Sequence, residues 1–372
     1  MSRLLRVYML QQFIQMAVVA SLGLAFLFLV FDILARSDDV IRGGMPVFEA
    51  IGQYAAWRLP QLISLIIPMA GLLAAMAVYN KLHSQHEIGA MQSSGIRILR
   101  ILWVFMLGGF FIASLHFIFL NSLVLGATEN LRLWEENDFE PVTEQTNITR
   151  YPAWFMVGDY MLYAEGANKQ NNKLYQVKLI ERDEQGLMER YIVADNATYE
   201  DAPEASGMTG KAWVLRDGEM RVLGSGDSME FDIHPTHLGT TPKELAVFDK
   251  KLDEMTLREL KLLSEASNIN NDRGHYYKTW LHRRFSQPIG TMVMVLIAAP
   301  ILFMRPRGAN RIIAGFTIIL FGFLFFVAER IALSGAESGN FPTAFTVWLP
   351  TYLFGGGVVA YCMWRESRFS RK

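Results

Sequence analysis

Cysteine is almost absent. Among 372 residues there is one, Cys362. No intramolecular disulfide can form, and no Cys/His zinc cluster can be built around it. Any part of the chain outside the cytoplasm is then held by packing alone. Charge is also scarce. Asp, Glu, Lys and Arg make up 19% of the chain, where a soluble protein carries about a quarter. That argues against an ordinary cytosolic enzyme. The formal net charge of −1 argues against a nucleic-acid binder, which is usually strongly basic. Catalytic signatures are missing as well. Gly207-Met208-Thr209-Gly210-Lys211 has the wrong spacing for a P-loop, and neither a GxSxG elbow nor an HExxH helix occurs. His83, His86 and Glu87 lie near one another, but nothing close by completes a metal site. The expectation is a chain with no catalytic residue, no metal and no cofactor of its own.

What the chain has instead is long apolar runs. Hydrophobic residues make up 51%, and the mean hydropathy is +0.19. About 20 apolar residues cross a bilayer as a helix. Six stretches qualify: 13–34, 59–79, 101–127, 285–304, 312–333 and 344–364. The first is too long for a secretory signal and lacks a small-residue cleavage site, so it reads as a retained span. The pattern is three spans, one large polar insertion, and three more spans.

Basic residues orient the spans. Arg3 and Arg6 precede the first. Lys81, Arg97 and Arg100 lie between the second and third. Arg305, Arg307 and Arg311 fill the short connection between the fourth and fifth, and Arg365, Arg368, Arg371 and Lys372 form the tail. All four groups fall on one side, which the positive-inside rule makes the cytoplasm. Both termini are then cytoplasmic and the insertion is on the far side. Arg36, Arg42, Arg58, Lys278, Arg283, Arg284 and Arg330 oppose them near the other ends of the spans.

The insertion changes period. Short strand-like runs such as 154–157, 160–163, 174–180, 191–194 and 212–215 follow one another. Gly158-Asp159, Asn171-Asn172 and Asp217-Gly218 supply turn chemistry, and the last predicts a two-residue hairpin. Many short strands suggest a sandwich or roll. Thr256-Leu257-Arg258-Glu259 predicts a capped helix start. The expected fold is an α-helical integral membrane protein with an inserted all-β domain. Residues 1–127 hold the first three spans, 128–277 the insertion, and 278–372 the last three spans and the tail.

Three pieces of sequence carry a resemblance. They are Arg58-Leu59-Pro60, Ile67-Pro68-Met69-Ala70, and Glu87-Ile88-Gly89-Ala90-Met91-Gln92-Ser93-Ser94-Gly95. With the three-plus-three layout, they resemble the lipopolysaccharide export permease family, LptF and LptG. Gln287-Pro288, at the head of the fourth span, resembles the LptG branch. The resemblance implies an inner-membrane subunit of an ABC transporter, paired with a sister permease and seated on a dimer of LptB-like ATPase subunits that hold ATP and Mg. It implies that 81–97 is a coupling helix, with Glu87, His83, Met91, Gly95 and Arg97 as the ATPase-coupling residues. It implies a periplasmic β-jellyroll that passes lipopolysaccharide to LptC and LptA-like jellyrolls, and a cavity walled by spans one and five.

Lipopolysaccharide needs an apolar wall for its acyl chains and cations for its phosphates. Phe26 and Phe31 of span one and Phe316, Phe321, Phe325 and Phe326 of span five are the wall candidates. Arg36, Arg58 and Arg330 are the phosphate candidates, at the level of the outer leaflet. Asp38 and Asp39 stand where some family members have lysines, so those contacts do not carry over. Snorkelling to headgroups accounts for Arg283 and Arg284. Asp32, His116 and Glu329 are ionisable groups in or near spans, and His116 reads as an interhelical hydrogen-bonding group. Two alternatives remain. A mechanotransmission or lipoprotein-release type subunit would show four spans. A secondary transporter would show inverted repeats and broken mid-membrane helices.

Overall fold

The computed structural model describes residues 2–140, 148–157, 160–168, 172–182, 187–203, 210–222, 228–238, 241, 250–266, 274–303 and 309–369. The chain folds as two compact units, Met1–Asp138 with Leu252–Lys372, and Phe139–Lys251.

The first unit is helical. α1 (Arg3–Arg42) and α2 (Val47–Ser84) form a hairpin, followed by the short α3 (Glu87–Ser93). α4 (Ile98–Phe119) runs through a π-turn (Leu120–Val124) into α5 (Leu125–Glu136). Beyond the insertion come α6 (Leu257–Ala266), α7 (Gly274–Ile297), α8 (Pro300–Phe303), α9 (Ala309–Glu337) and α10 (Thr343–Phe369). Six runs are long and apolar enough to cross a membrane: α1, α2, α4–α5, α7–α8, α9 and α10. They are the six that hydropathy predicts, although Met304, at the end of the fourth, lies outside the described residues. Pro60 and Pro68 sit inside α2 without ending it. In a membrane bundle, neighbouring groups satisfy the carbonyls a proline frees.

Spans two and four form the centre. In their most apolar stretches 61% and 72% of residues are buried, against 17% in spans one and five. The main core gathers Leu72 and Tyr79 of α2, Phe105 of α4, Met294 of α7 and Cys362 of α10. Tyr79 and Phe105 meet edge to face, with ring centroids 4.5 Å apart. A second apolar seam, Ala25 and Leu29 against Leu62 and Ile66, joins α1 to α2.

Of the stretch 128–277, the helical unit keeps most of α5, all of α6 and the first turn of α7. Two polar devices fix this region. Arg132 of α5 donates from Nε to both carboxylate oxygens of Glu254, at 2.8 and 3.0 Å. Both side chains are buried. Arg284 of α7 donates to the carbonyls of Asp253 at 2.6 Å and Met255 at 2.9 Å. Arg284 is therefore a correction: it is buried and braces the turn before α6, where snorkelling was expected. Arg283 lies over the Trp280 ring, 4.5 Å from its centroid. α6 starts as predicted, with a reciprocal capping box: Glu259 N donates to Thr256 Oγ1 and Thr256 N to Glu259 Oε2.

The second unit is the all-β insertion. Its strands are β1 (Ile148–Val157), β2 (Tyr160–Asn168), β3 (Lys173–Arg182), β4 (Met188–Asp201), β5 (Lys211–Val222) and β6 (Ser228–Thr236). They form one antiparallel sheet in sequential order, a meander among the described residues. Period-two alternation buries Val177 and Leu179, Ile192 and Ala194, and Trp213 and Leu215 on one face.

The hairpin expected at Asp217-Gly218 is not there. β5 passes straight through both residues, and Gly218 pairs with Ala194 on one side and Phe231 on the other. Asp217 takes a left-handed conformation, φ 55°, which the dipeptide favours in a turn and here supplies an irregularity within a strand. Close approach explains the glycine: an added Cβ would stand 2.3 Å from Val193 O and 2.6 Å from Phe231 Cζ. Gly218→Val is expected to destabilise the β unit by about 1–3 kcal/mol through overpacking. Limited proteolysis of the detergent-solubilised chain checks this, with faster cleavage within Phe139–Lys251 as the predicted outcome.

Candidate functional site

Two regions gather the candidate residues, at opposite ends of the helical unit. The first is α3. It is bounded by two left-handed residues, His86 with φ 57° and Gly95 with φ 76°. Ile96 N donates to Met91 O at 3.0 Å and Gly95 N to Gln92 O at 2.9 Å, the paired bonds of a Schellman end. Gly95 thus stops the helix where the sequence predicts. The underside, Ile88 and Met91, is buried in the main core with Leu82. Gly89, Ala90, Ser93, Ser94 and Arg97 are exposed. Small side chains on that face let another surface approach the backbone.

Glu87 opens α3 and is half-buried. The Tyr8 hydroxyl of α1 donates to its Oε1 at 3.4 Å. His83, in the last turn of α2, hydrogen-bonds through Nε2 to Ile301 O of α8 at 2.8 Å. Past α3, Glu366 of α10 accepts from Leu99 N at 3.0 Å and caps α4. Three spans therefore send a polar contact to α3 or its flanks. Tyr8 and Glu366 carry no local sequence signal for this, since their partners are far away in the chain.

The second region lies at the far end of α1 and α2. Arg58 grips Asp32 with two bonds, Nε to Oδ2 at 2.6 Å and Nη2 to Oδ1 at 3.1 Å. Tyr54 donates to the same Oδ2 at 2.6 Å, and Arg58 Nη1 reaches Gln61 at 2.8 Å. Arg36 pairs with Glu135 of α5 at 2.6 Å. Two of the three phosphate candidates thus already hold carboxylates. Arg330 is exposed and forms no ion pair among the described residues. Between the two regions, His116 is buried. Ser64 lies 3.0 Å from its Nε2 and Thr291 3.4 Å from its Nδ1, so it joins α2, α4 and α7 as an interhelical group.

The aromatic candidates divide. Phe26, Phe31 and Phe316 are 67%, 62% and 68% exposed and offer apolar surface. Phe321 lines a groove of about 690 Å³ between α7, α9 and α10, with Ile297, Ile313 and Leu353. Phe325 is a correction. It is buried in the core, edge to face with Phe354 at 5.6 Å, and has no surface left for an acyl chain. Phe326 is half-buried and packs against that core.

Comparison with known proteins bears on the whole chain. The family described as lipopolysaccharide export system permease LptF/LptG matches residues 7–365. The chain is also similar to the lipopolysaccharide export system permease protein LptG of Haemophilus influenzae (strain ATCC 51907 / DSM 11121 / KW20 / Rd). The two are 22% identical over 344 residues, 89% of this chain and 88% of that protein. A match of this extent to the six-span, β-inserted architecture places the chain in one family: it belongs to the lipopolysaccharide export system permeases LptF/LptG.

Proposed function

We propose that this inner-membrane, multi-pass chain is the LptG-type permease subunit of an ABC transporter. It extracts lipopolysaccharide from the outer leaflet of the inner membrane and passes it towards a periplasmic bridge. A sister permease pairs with it. A separate ATPase dimer of the LptB type binds ATP and Mg and works on α3. The basic groups at 3–6, 81–100, 305–311 and 365–372 support a reading with α3 and both termini in the cytoplasm and the β unit in the periplasm. There the β unit passes lipopolysaccharide to LptC and LptA-like proteins.

One observation supports this reading most. α3 is a short helix with a buried apolar underside and an outer face of small residues opened by Glu87. Such an element can receive a push and deliver it to the bundle beneath. The exposed apolar flanks of α1 and α9 suit the cavity wall and the sister permease. Affinity purification in mild detergent tests the class. Co-purification of a second permease and a small P-loop ATPase is expected, and recovery of the chain alone would contradict it.

Arg330 and Arg36 are the cations proposed to meet lipopolysaccharide phosphates. Arg36 must share with Glu135 or exchange it, so Arg330 is the stronger ligand. A photo-crosslinking residue at 330 is expected to capture lipopolysaccharide, and one at 36 to capture less. Capture of bulk phospholipid at both would remove them from the site.

A further inference from the structure

We infer that His83 is a positioning residue that ties movement of α3 to the broken end of span four. The inference rests on the export reading above and adds a residue-level route to it.

Span four does not end as a continuous helix. α7 stops at Ile297, and α8 begins at Pro300, whose nitrogen cannot donate. Tight bonds cross the break, from Ala299 N to Leu296 O at 2.8 Å and from Leu302 N to Ala299 O at 3.0 Å. Carbonyls beside such a break can take partners from outside the helix. His83 supplies one, at 2.8 Å from Ile301 O. A carbonyl oxygen can only accept, so Nε2 carries the proton.

The place of this bond gives it a role. His83 sits in the last turn of α2, three residues before the left-handed joint at His86 that opens α3. Around it, Leu82, Ile88 and Met91 share one buried cluster with Ile301, Leu302 and Phe303. Apolar contacts of that kind are non-directional and permit sliding. A hydrogen bond has a short range and a preferred angle, so it fixes which residue follows which. It fastens the end of α2, from which α3 turns away, to α8, so a displacement of α3 that shifts this end moves Ile301 with it.

The test uses the complete transporter in proteoliposomes, with ATP turnover and lipopolysaccharide released per ATP measured together. Three variants separate the bond from the bulk. His83→Ala removes both, His83→Phe keeps a ring without a donor, and His83→Gln restores an N–H of similar reach. Alanine and phenylalanine are expected to lower release per ATP by about tenfold, the scale of one net hydrogen bond. Glutamine is expected to restore release. Phenylalanine matching the wild type, or turnover and release falling in proportion in all three, would overturn the assignment. Absence of release in the wild-type transporter would instead contradict the export reading itself.

Discussion

Glu254→Ala is expected to destabilise the helical unit by about 3–5 kcal/mol, because it takes a buried carboxylate away from the buried Arg132 guanidinium. Arg132 is 6% exposed and Glu254 0%. Their two bonds at 2.8 and 3.0 Å hold α5 to the segment leading into α6. Glu136 also accepts from Arg132, at 2.9 Å, but its side chain is half in solvent and water weakens its hold. Arg132→Ala is expected to do the same from the other side. The double change Arg132→Met with Glu254→Leu is expected to recover most of the loss, since apolar residues of similar volume can replace a buried pair. Cys362 is a ready probe. It is the one cysteine in the chain and fully buried. Its rate of labelling by a thiol reagent, followed with temperature in detergent, reports opening of the unit. Both single variants should label at lower temperature than the parent. Equal labelling curves would show that the pair contributes little.

Glu87→Lys is expected to abolish coupling. The residue stands at the first turn of α3, with its backbone supported from below by Ile88 and Met91. Changing its side chain leaves that support in place, so insertion and folding should survive. What changes is the charge offered to the ATPase. If Glu87 pairs with a cation there, alanine removes the attraction and lysine replaces it with repulsion. Removing one member of a buried interfacial pair costs about 2–5 kcal/mol, or roughly thirtyfold and more in association. Glu87→Ala should therefore weaken ATPase retention strongly, and Glu87→Lys should eliminate it, with export lost in both. Full export by either variant would remove Glu87 from the coupling site. Tyr8 supports this placement, since its hydroxyl reaches the carboxylate from α1.

Much of the architecture is written locally. Apolar length marks the six spans, period-two alternation marks the β unit, and Thr256 with Glu259 marks a helix start that the structure reproduces bond for bond. Gly95 ends α3 because its positive φ suits glycine. Long-range pairing is not written locally. Arg132 and Glu254 are 122 residues apart, and no pattern in either neighbourhood announces the other. Arg284 looks like any basic residue near a span end, yet its partners are carbonyls of a distant turn. The aromatics of span five show a different blindness. A membrane helix is apolar on its buried and its lipid-facing sides alike, so composition cannot separate Phe325 in the core from Phe316 on the surface. At Asp217-Gly218 the dipeptide favours a turn, but neighbouring strands pressing on Gly218 decide for a strand.

The central claim is that nucleotide hydrolysis elsewhere drives lipopolysaccharide through this subunit by way of α3. Reconstitution into liposomes loaded with lipopolysaccharide tests it most directly, with release followed in the presence and absence of the ATPase. The account predicts release that needs the ATPase, ATP and an intact Glu87. Release by this chain without any ATPase, or undiminished release with Glu87→Lys, would contradict it.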